Sequence, residues 1–446
     1  MKKKQDKMKI LFVWPRHTDS IIDASDPDKS FFKFFSKILF LRKPLTFPIL
    51  AALTPNKHSI DLIEGGLDKI NFDKKYDLAC ITCVTAFAPL AYKIADEFRS
   101  RGIPVVLGGY HPSALPEEAK MHADAVVIGE AEETWPKLLM DIEKKQLKQF
   151  YIPDKPVDPR FIPSHFGLNL KETRFGIQAT RGCPYGCNFC SITSMKFRNV
   201  FRMRPVENVY EEIRKYPDKI FVFEDDSLTI NPSYTKQLFR EIKDLNKKFL
   251  AYGNIDVLGH DEELLMLASD AGCIGWLIGF ESVCQQSLDS VGKKTNNVNE
   301  YLSLIEKIHD YGMIIEGSFV FGFDYDTPEI FNQTDDFVRK GEIDIPFASI
   351  LVPYPGTPIF KKFDKEGRIL TKDWSKYTVE KVVFQPKNMT PEELFMYTFE
   401  LNKLWHQIPR SIRRILRNLN FGFYPFTETL GIEIYLKLLN FANKTS

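Results

Sequence analysis

The chain has 446 residues, which at about 150 residues per domain corresponds to roughly three domains. Its 60 lysines and arginines nearly balance its 59 aspartates and glutamates, and this argues against a general nucleic-acid-binding protein, which would carry a basic excess on one face. Seven cysteines that are clustered rather than spread, and a start without a visible signal peptide, predict a cytoplasmic protein in a reducing compartment.

The first region, residues 1–148, alternates short apolar runs with helical patterns. The predicted strands are Ile10–Trp14, Ser59–Ile63, Leu78–Val84, Val105–Leu107 and Ala125–Ile128, and the predicted helices are Leu90–Arg101, Ser113–His122 and Glu132–Lys145. Because these strands are almost wholly apolar and are separated by helices, they predict a doubly wound α/β domain with a parallel sheet. Ligands of such sheets bind beyond the carboxyl ends of the strands.

Small residues follow three of these strands, in Thr82-Cys-Val-Thr-Ala86, Gly108-Gly-Tyr-His-Pro112 and Gly129-Glu-Ala-Glu132. Glycines and small side chains allow a bulky planar or nucleotide ligand to approach the backbone closely. The candidate ligand-binding residues of this edge are Thr82, Thr85, Gly108, Gly109, His111, Gly129 and Glu130.

A proline-rich linker over residues 149–170 precedes a second domain over 171–375, and residues 376–446 predict a helical C-terminal region. The predicted strands of the second domain are Phe175–Thr180, Ile220–Glu224, Leu250–Ile255, Gly275–Phe280, Ile314–Phe321 and Ala348–Val352. Its predicted helices are Val206–Tyr216, Ser233–Asn246, Asp261–Ala271, Asn299–Tyr311 and Pro328–Lys340. Six strand–helix units are too few for a closed eight-stranded barrel and predict a partial (β/α)6 barrel, with the active residues at the strand carboxyl ends.

The most specific motif is Cys183-Pro-Tyr-Gly-Cys187-Asn-Phe-Cys190, directly after the first strand of the second domain. Thiolates hold iron–sulfur clusters, and three thiolates leave one iron of a four-iron cluster open for chemistry. The alternative is a zinc knuckle with a distant fourth ligand, but neither Cys nor His follows Cys190 at a finger-like spacing.

This motif, with Phe189 before its third cysteine, and the partial barrel resemble the radical S-adenosylmethionine superfamily. The resemblance implies a [4Fe–4S] cluster on Cys183, Cys187 and Cys190. It also implies that the amino and carboxylate groups of S-adenosylmethionine chelate the open iron. One electron, from a donor such as flavodoxin or ferredoxin, then releases a 5′-deoxyadenosyl radical.

The same resemblance assigns cofactor contacts to residues at the ends of the next barrel strands. Glu224 or Asp225 would hold the methionine amino group, since a carboxylate accepts hydrogen bonds from an ammonium. Asn254 would contact the ribose. The fourth strand ends in Gly279, Glu281 and Ser282, where members have polar contacts to the cofactor. The alternative for the carboxylates is an ordinary strand-end turn or helix cap.

The first domain is similar to the cobalamin-binding class of this superfamily. The similarity is carried by residues 108–118 and 123–132 and resumes at 352–358 and 366–369. The D-x-H-x-x-G signature of some cobalamin carriers is absent after the first strand, where Trp14-Pro-Arg-His17 stands instead. The resemblance therefore implies bound cobalamin without a histidine on its lower face. The alternative is a degenerate sheet that binds nothing and braces the barrel.

The four other cysteines, Cys80, Cys83, Cys273 and Cys284, are predicted to be buried structural thiols. Two basic and aromatic segments, Ser30–Lys43 and residues 404–426, remain open between two interpretations. In the first, each lies at a membrane interface with its cations toward anionic headgroups. In the second, Ser30–Lys43 is a core-facing or lid helix over the corrin edge, and residues 404–426 form a solvated basic helix packed by aromatics. Together with 37 phenylalanines, they favour an apolar substrate and peripheral membrane contact.

The function that the resemblance implies is methylation of an unactivated carbon of a hydrophobic, lipid-like substrate by a methylase-type member of the family. Hopanoid or lipid methylases and anaerobic cyclases are the members it resembles. Two alternatives stay open, a cobalamin-dependent radical cyclase without methyl transfer and a non-catalytic cobalamin carrier or sensor. Formation of S-adenosylhomocysteine beside 5′-deoxyadenosine distinguishes the methylase from the cyclase.

Overall fold

The computed structural model describes residues 7–16, 45–164 and 176–442. The Ser30–Lys43 segment lies outside these residues. The strands of the first domain are β1 Lys9–Pro15, β2 Ser59–Gly65, β3 Leu78–Thr82, β4 Val105–Gly108, β5 Ala125–Val127 and β6 Phe150–Tyr151. Its helices are α1 Thr46–Leu53, α2 Ala88–Ser100, α3 Tyr110–Ala114, α4 Pro116–Ala119 and α5 Thr134–Glu143.

The six strands form one parallel sheet in the order β2-β1-β3-β4-β5-β6. Successive residues of β1 face opposite cores, so Leu11 and Val13 pack with α2 while Ile10 and Phe12 pack with α1 and α5. The predicted doubly wound α/β fold is confirmed. The strand order reverses between β1 and β3, and this is where such sheets bind ligands. Strand β6 extends the sheet past residue 148, into the predicted linker.

One predicted helix of this domain, Ser113–His122, is wrong. The chain forms the two short helices α3 and α4 because Pro116 has no amide hydrogen to continue a helix and restricts the residue before it. Leu115 has φ −129° and ψ 62°, outside the helical region. Glu118 lies in α4, after the turn between the two helices, and its carboxylate contacts His111 and Trp374.

The second domain contains a short antiparallel pair, β7 Thr180–Arg181 and β8 Arg202–Met203, followed by β9 Ile220–Val222, β10 Lys248–Gly253, β11 Cys273–Glu281, β12 Ile314–Phe321 and β13 Ile345–Ile350. Its helices are α6 Ser191–Ser194, α7 Val206–Lys215, α8 Pro232–Ile242, α9 Ile255–His260, α10 Glu262–Ala271, α11 Gln285–Ser290, α12 Tyr301–Asp310, α13 Glu329–Lys340 and α14 Pro358–Lys365. Strands β9 to β13 form a parallel sheet in sequential order. The partial barrel is confirmed.

The first predicted barrel strand is Phe175–Thr180, and its described residues, 176–180, are largely absent from this sheet. Among them only Ile177 joins the sheet, through a parallel bridge to Phe223. The reason is the buried Asp225 carboxylate, which accepts hydrogen bonds from the backbone amides of Ala179 and Thr180. Those amides are therefore not available to a neighbouring strand, and the chain turns away into the cysteine loop.

The barrel strands place alternate residues on two faces. Phe221, Phe223 and Phe249 pack against the surrounding helices. Val222, Leu250 and Ile274 lie on the opposite, inner face and pack on Tyr424. Much of the phenylalanine surplus therefore fills the layer between the barrel and its helices.

The C-terminal region consists of α15 Pro391–Trp405, α16 Ile408–Arg417 and α17 Phe423–Ala442. Buried Glu433 of α17 connects the three helices. Its carboxylate accepts hydrogen bonds from Ser411 Oγ at 2.7 Å and from Arg414, and it lies 3.2 Å from His406 Nδ1. None of the described helices is both long and apolar enough to cross a bilayer.

Replacing Glu433 with Gln is expected to lower the free energy of unfolding by about 3 kcal/mol at neutral pH, since it leaves a buried arginine without its carboxylate. Burial alone would raise the pKa of Glu433, but the hydrogen bond and charge of His406 and the charge of Arg414 lower it from 4.5 to about 2. The carboxylate therefore stabilises the folded state above about pH 4.5, and this contribution is lost as the pH falls toward 2.

The measurement is anaerobic urea unfolding of both proteins from pH 3 to pH 7, followed by circular dichroism. Glu211→Gln, at an exposed pair with Arg214, is the matched control and should change little. A difference between wild type and the Glu433 variant that stays constant down to pH 3 would contradict the assignment.

Candidate active site

A cavity of about 640 Å³ lies between the carboxyl edge of the first sheet and the cysteine loop of the barrel. From the first domain it is lined by the predicted residues Thr82, Gly108, Gly109, Gly129 and Glu130. From the barrel it is lined by Gln178, Arg181, Ile192, Met195, Arg198, Glu224, Asp225, Asp226 and Tyr252. Both sheets therefore present their strand ends to one shared space.

The glycines of the first domain keep the backbone of this edge open. Gly109 has φ +99°, and a Cβ there would lie 2.6 Å from Thr82 Oγ1 and 2.8 Å from the Cys83 carbonyl oxygen. Gly129 has φ +81°. A side chain at either position is strained and would narrow the edge. The flat, glycine-lined wall suits a large planar ligand such as a corrin ring.

Two predicted residues of this edge, Thr85 and His111, do not line the cavity. His111 is fully buried below the edge, where its Nε2 lies 3.1 Å from Glu118. Trp374, from the turn after the barrel, donates its Nε1 hydrogen to the same carboxylate at 3.1 Å. Among the described residues that line the cavity, none is a histidine, so these residues offer a bound cobalt no imidazole.

Cys80 and Cys83 are buried, as predicted, but they also form part of the cavity wall. Burial raises the pKa of both thiols, so they remain protonated and uncharged at neutral pH. All seven cysteines are free thiols in the described part of the chain. Cys80 and Cys83 therefore act as small apolar wall residues.

The cysteine loop is held in shape by its own backbone. Gly182 has φ +90°, and a Cβ there would lie 2.2 Å from the Val200 carbonyl oxygen. The amide of Cys183 donates to the Arg198 carbonyl oxygen at 2.8 Å. Thr193 Oγ1 donates to the carbonyl oxygens of Cys187 at 3.1 Å and Cys190 at 3.0 Å. The loop thus presents its three thiols together without forming regular structure.

The spacing and the burial of the thiols bear on how this loop could hold a metal. Within the described ranges, the three sulfur atoms do not all lie within 4.8 Å of one another. A zinc ion about 2.3 Å from each thiolate would bring the sulfurs to about 4 Å. Burial raises the pKa of the Cys187 thiol to about 11, so a thiolate forms there only with a strong positive partner. A cluster or a metal ion bound at these thiols would supply that positive partner.

The carboxylates after β9 divide into different roles. Asp225 accepts from Thr180 Oγ1 at 2.6 Å, and burial raises its pKa to about 7. Asp226 accepts from the Gly182 amide at 2.7 Å. Glu224 enters the cavity wall above Gly176, where a Cβ would lie 2.2 Å from Glu224 Cγ. Asp225 and Asp226 thus fix the loop, and all three carboxylates line the cavity.

The end of β11 places a second carboxylate near the thiols. Glu281 has a left-handed φ of +62°, and Gly279 permits this because a Cβ there would lie 2.3 Å from Glu281 Oε1. Lys293 Nζ donates to that oxygen at 3.0 Å. Burial lowers the pKa of Lys293, but Glu281 and Cys187 outweigh this and raise it above its ordinary value.

The structure places the other two predicted residues apart from this pair. Ser282 is buried, and its Oγ accepts a hydrogen bond from the amide of Cys284 at 3.1 Å. Asn254 directly follows β10, and its side-chain amide is within reach of Tyr185 in the cysteine loop. The Asn254 side-chain nitrogen is buried and makes no well-formed hydrogen bond to the described residues. This polar atom is a natural contact for a ribose hydroxyl.

Four further residues at the site were not predicted from the sequence, namely Lys293, Arg181, Arg198 and Tyr110. The last three line the cavity, and Lys293 lies beside the thiols. Tyr110 is the residue between Gly109 and His111, so it lay inside a quoted motif. Lys293 and Arg198 stand in segments without a recognisable spacing, and only the folded chain brings them to the site.

Two family models match the chain, the radical SAM superfamily over residues 177–338 and the B12 binding domain over residues 67–139. The bacteriochlorophyllide d C-8(2)-methyltransferase of Chlorobaculum tepidum is 35% identical over 382 residues, 80% of this chain and 84% of that protein. The C-12(1)-methyltransferase of the same organism is 32% identical over 382 residues, 81% of this chain and 83% of that protein.

The solved structure of the radical S-adenosylmethionine methyltransferase TsrM from Kitasatospora setae, with cobalamin and a [4Fe–4S] cluster bound, has a similar fold. Its TM-score is 0.68 at 15% sequence identity, and the match covers 99% of this chain and 100% of that chain.

A half-barrel with a three-cysteine loop beside a cavity that it shares with a second, glycine-lined sheet edge defines a radical S-adenosylmethionine enzyme with an additional cofactor domain. The chain belongs to the cobalamin-binding radical S-adenosylmethionine superfamily. It is an enzyme whose cofactors are a [4Fe–4S] cluster, S-adenosylmethionine and cobalamin. The predicted family, enzyme class and cofactors are confirmed.

Replacing Cys183, Cys187 and Cys190 together with Ala is expected to abolish cluster binding, because it removes all three proposed protein ligands. After anaerobic reconstitution, wild type should hold about four irons per chain and the variant almost none. Iron analysis and absorbance near ~400 nm measure this. Cys284→Ala, outside the motif, is the control and should keep the cluster; an intact cluster in the triple variant would overturn the assignment.

Filling the glycine wall is expected to weaken cobalamin binding. At Gly108 the nearest atom to an added Cβ is 3.7 Å away, so Gly108→Ala has room, whereas Gly108→Leu projects into the cavity. Protein given hydroxocobalamin is passed through gel filtration and the bound cobalt is measured. Wild type and Gly108→Ala should retain cobalamin, and Gly108→Leu should lose most of it while keeping its iron. Equal retention by all three would place the corrin elsewhere.

Proposed function

We propose that this cobalamin-dependent radical S-adenosylmethionine C-methyltransferase acts on an unactivated side-chain carbon of a tetrapyrrole macrocycle. The observation that carries the proposal is the similarity to two bacteriochlorophyllide methyltransferases over about four fifths of the chain. The shared cavity supports it, because one space meets the cysteine loop on one side and the glycine wall on the other. A hydrophobic macrocycle also agrees with the apolar substrate that the sequence predicts.

Each cofactor has a set of residues suited to it. Cys183, Cys187 and Cys190 would hold the cluster. Glu224, Asn254 and the Gly279–Glu281 turn would face S-adenosylmethionine, with Ser282 supporting the turn from behind. Thr82, Gly108, Gly109 and Gly129 would lie along the corrin. When bound, the cluster and S-adenosylmethionine supply a 5′-deoxyadenosyl radical, and cobalamin supplies the methyl group.

The protein itself would orient these groups and exclude water. Asp225 fixes the chain at Thr180, three residues before Cys183, and Asp226 fixes Gly182. Apolar Trp14, Phe47 and Trp135 line the far wall of the cavity. A dry wall of this kind protects a radical and a methyl–cobalt bond from solvent and side reactions.

The barrel interior is the proposed substrate space. Val222, Leu250 and Ile274 form an apolar inner face, closed at one end by Tyr424 of α17. Tyr252, on the same face of β10, reaches the cavity between the domains. A flat hydrophobic ring placed here would have its edge near both cofactors.

We further propose a cytoplasmic enzyme that receives its electron from a flavodoxin or ferredoxin, since its seven free thiols suit a reducing compartment.

The C-terminal basic and aromatic segment supports peripheral membrane contact. Its helix α16 and the turn after it expose an apolar stripe made of Ile408, Ile412, Leu416, Leu419 and Phe423. Arg413 is 77% exposed beside this stripe, where it would meet an anionic headgroup.

The test is an anaerobic reaction of the reconstituted enzyme with a chlorophyllide-type tetrapyrrole, S-adenosylmethionine and a reductant. The expected product carries one additional CH₂, and its formation consumes two S-adenosylmethionines, one giving S-adenosylhomocysteine and one giving 5′-deoxyadenosine. Mass spectrometry with a deuterated methyl donor measures the methylated product and the two products of S-adenosylmethionine.

A hopanoid is tested in parallel. Methylation of the hopanoid alone would refute the tetrapyrrole proposal and leave a lipid methylase. 5′-Deoxyadenosine without S-adenosylhomocysteine would indicate the cyclase alternative, and neither product, with cobalamin still bound, would indicate a carrier.

A further inference from the structure

A buried network of charges lies where the first domain meets the cysteine loop. Its carboxylates are Glu130 and Glu132 of the first domain and Asp226 of the barrel, and its guanidiniums are Arg181, Arg198 and Arg202 of the barrel. The formal charges cancel. All six side chains are at most 12% exposed, so solvent screens their interactions only weakly.

Glu130 is the centre of this network. Arg202 holds it with two parallel hydrogen bonds, Nη1 to Oε2 at 2.6 Å and Nη2 to Oε1 at 2.8 Å. Arg198 Nη1 lies 3.6 Å and Arg181 Nη1 lies 3.7 Å from Oε1. One carboxylate of the first domain therefore contacts three arginines of the other domain, in a geometry that fixes direction as well as distance.

The same arginines hold the cysteine loop. Arg181 stands two residues before Cys183, and the Arg198 carbonyl oxygen accepts the Cys183 amide hydrogen at 2.8 Å. Asp226 pairs with Arg198 at 2.7 Å and accepts the Gly182 amide hydrogen at 2.7 Å. A displacement of Glu130 would thus reach Cys183 through a single residue, Arg198.

The other side of the network reaches the glycine wall. Glu130 follows Gly129, and Glu130, Arg181 and Arg198 themselves line the cavity. Arg198 also has a buried Nε that makes no hydrogen bond to the described residues. The network accordingly stands between the corrin edge and the cluster loop and touches both.

Stabilisation alone does not account for such an arrangement. Removing six charged groups from water is costly, and a well-packed apolar interface is often as stable or more so. A closed network of paired charges instead fixes one relative placement of the first domain and the barrel. If the two domains shifted against each other, buried charges would lose their partners.

We propose that Glu130 is a positioning residue that fixes the distance and orientation between the cobalamin and the [4Fe–4S] cluster. The proposal rests on the proposed function, because it assigns each cofactor to its side of the cavity. Without Glu130, both cofactors remain bound, but their separation is no longer unique. Methyl transfer is then expected to fall about 100-fold, as for a displacement of about 1 Å, while cleavage of S-adenosylmethionine continues.

The test uses full-length Glu130→Gln and Arg202→Lys proteins. Gln keeps the shape of Glu without its charge, and Lys keeps the charge of Arg without the bidentate contact. Each protein is loaded with the cluster and with hydroxocobalamin, and both are reduced to their paramagnetic states. Pulsed electron paramagnetic resonance then measures the distance distribution between the two spins. Glu263→Gln, at an exposed pair with Lys236 and Arg240, is the matched control.

Wild type and the control should give one narrow distance, and both network variants should give a broad or shifted distribution with undiminished iron and cobalt. A second readout uses the cofactor-free proteins, in which the variants should exchange the amide hydrogens of residues 180–204 faster than wild type. An unchanged distance in both variants would overturn the proposal. A wild type that gives the single narrow distance but leaves the tetrapyrrole unmethylated would instead refute the proposed function, and if Glu130→Gln does not fold, Arg202→Lys decides.

Discussion

The carboxyl edges of two parallel sheets face one cavity, and this constraint shapes the site. Cofactors at both edges must approach each other in a space with little water, where each unpaired polar group is costly. Several polar groups at the cavity wall are held by other groups of the protein. The Asp225 carboxylate accepts hydrogen bonds from backbone amides just before the cysteine loop. The Asp226 carboxylate accepts hydrogen bonds from the Gly182 amide and the Arg198 guanidinium. The lining also includes glycine backbone at Gly108, Gly109 and Gly129 and apolar side chains such as Trp14, Phe47 and Trp135.

Much of the fold was predictable because its strands are buried on both faces. Such strands read as continuous apolar runs, and β12 has the predicted bounds Ile314–Phe321. The prediction of the first barrel strand failed because the Asp225 carboxylate, 45 residues away in the sequence, accepts the hydrogen bond of the Thr180 amide. Strand β6 has two residues, which is too short for any periodic pattern. Local patterns describe local preferences, and both exceptions arise from tertiary pairing.

The site was predictable where chemistry is encoded in spacing. Three cysteines within eight residues can be recognised without a structure, and so can glycines at the ends of strands. Contacts between residues that are distant in the sequence cannot be recognised in this way. Glu130 and Arg202 are 72 residues apart, and the sequence, which marks Glu130 as a candidate ligand-binding residue, does not indicate its pairing with Arg202. His111 shows the reverse error. It lies in the correct motif, but its side chain points below the sheet edge to Glu118. Motif membership gives the position of the backbone and not the direction of the side chain.

The contact between Trp374 and Glu118 has a consequence for how this architecture can be rearranged. Trp374 follows the barrel in the chain, yet its indole donates to a carboxylate of the first domain, 256 residues earlier. Gly356, also beyond the last barrel strand, lies close to Ala114. The first domain is therefore completed by residues from the far end of the barrel. A chimera that exchanges the first domain at the linker alone would separate it from part of its own packing surface. An exchange of cofactor domains between family members must carry the 354–377 segment with it, and recombination in evolution faces the same restriction.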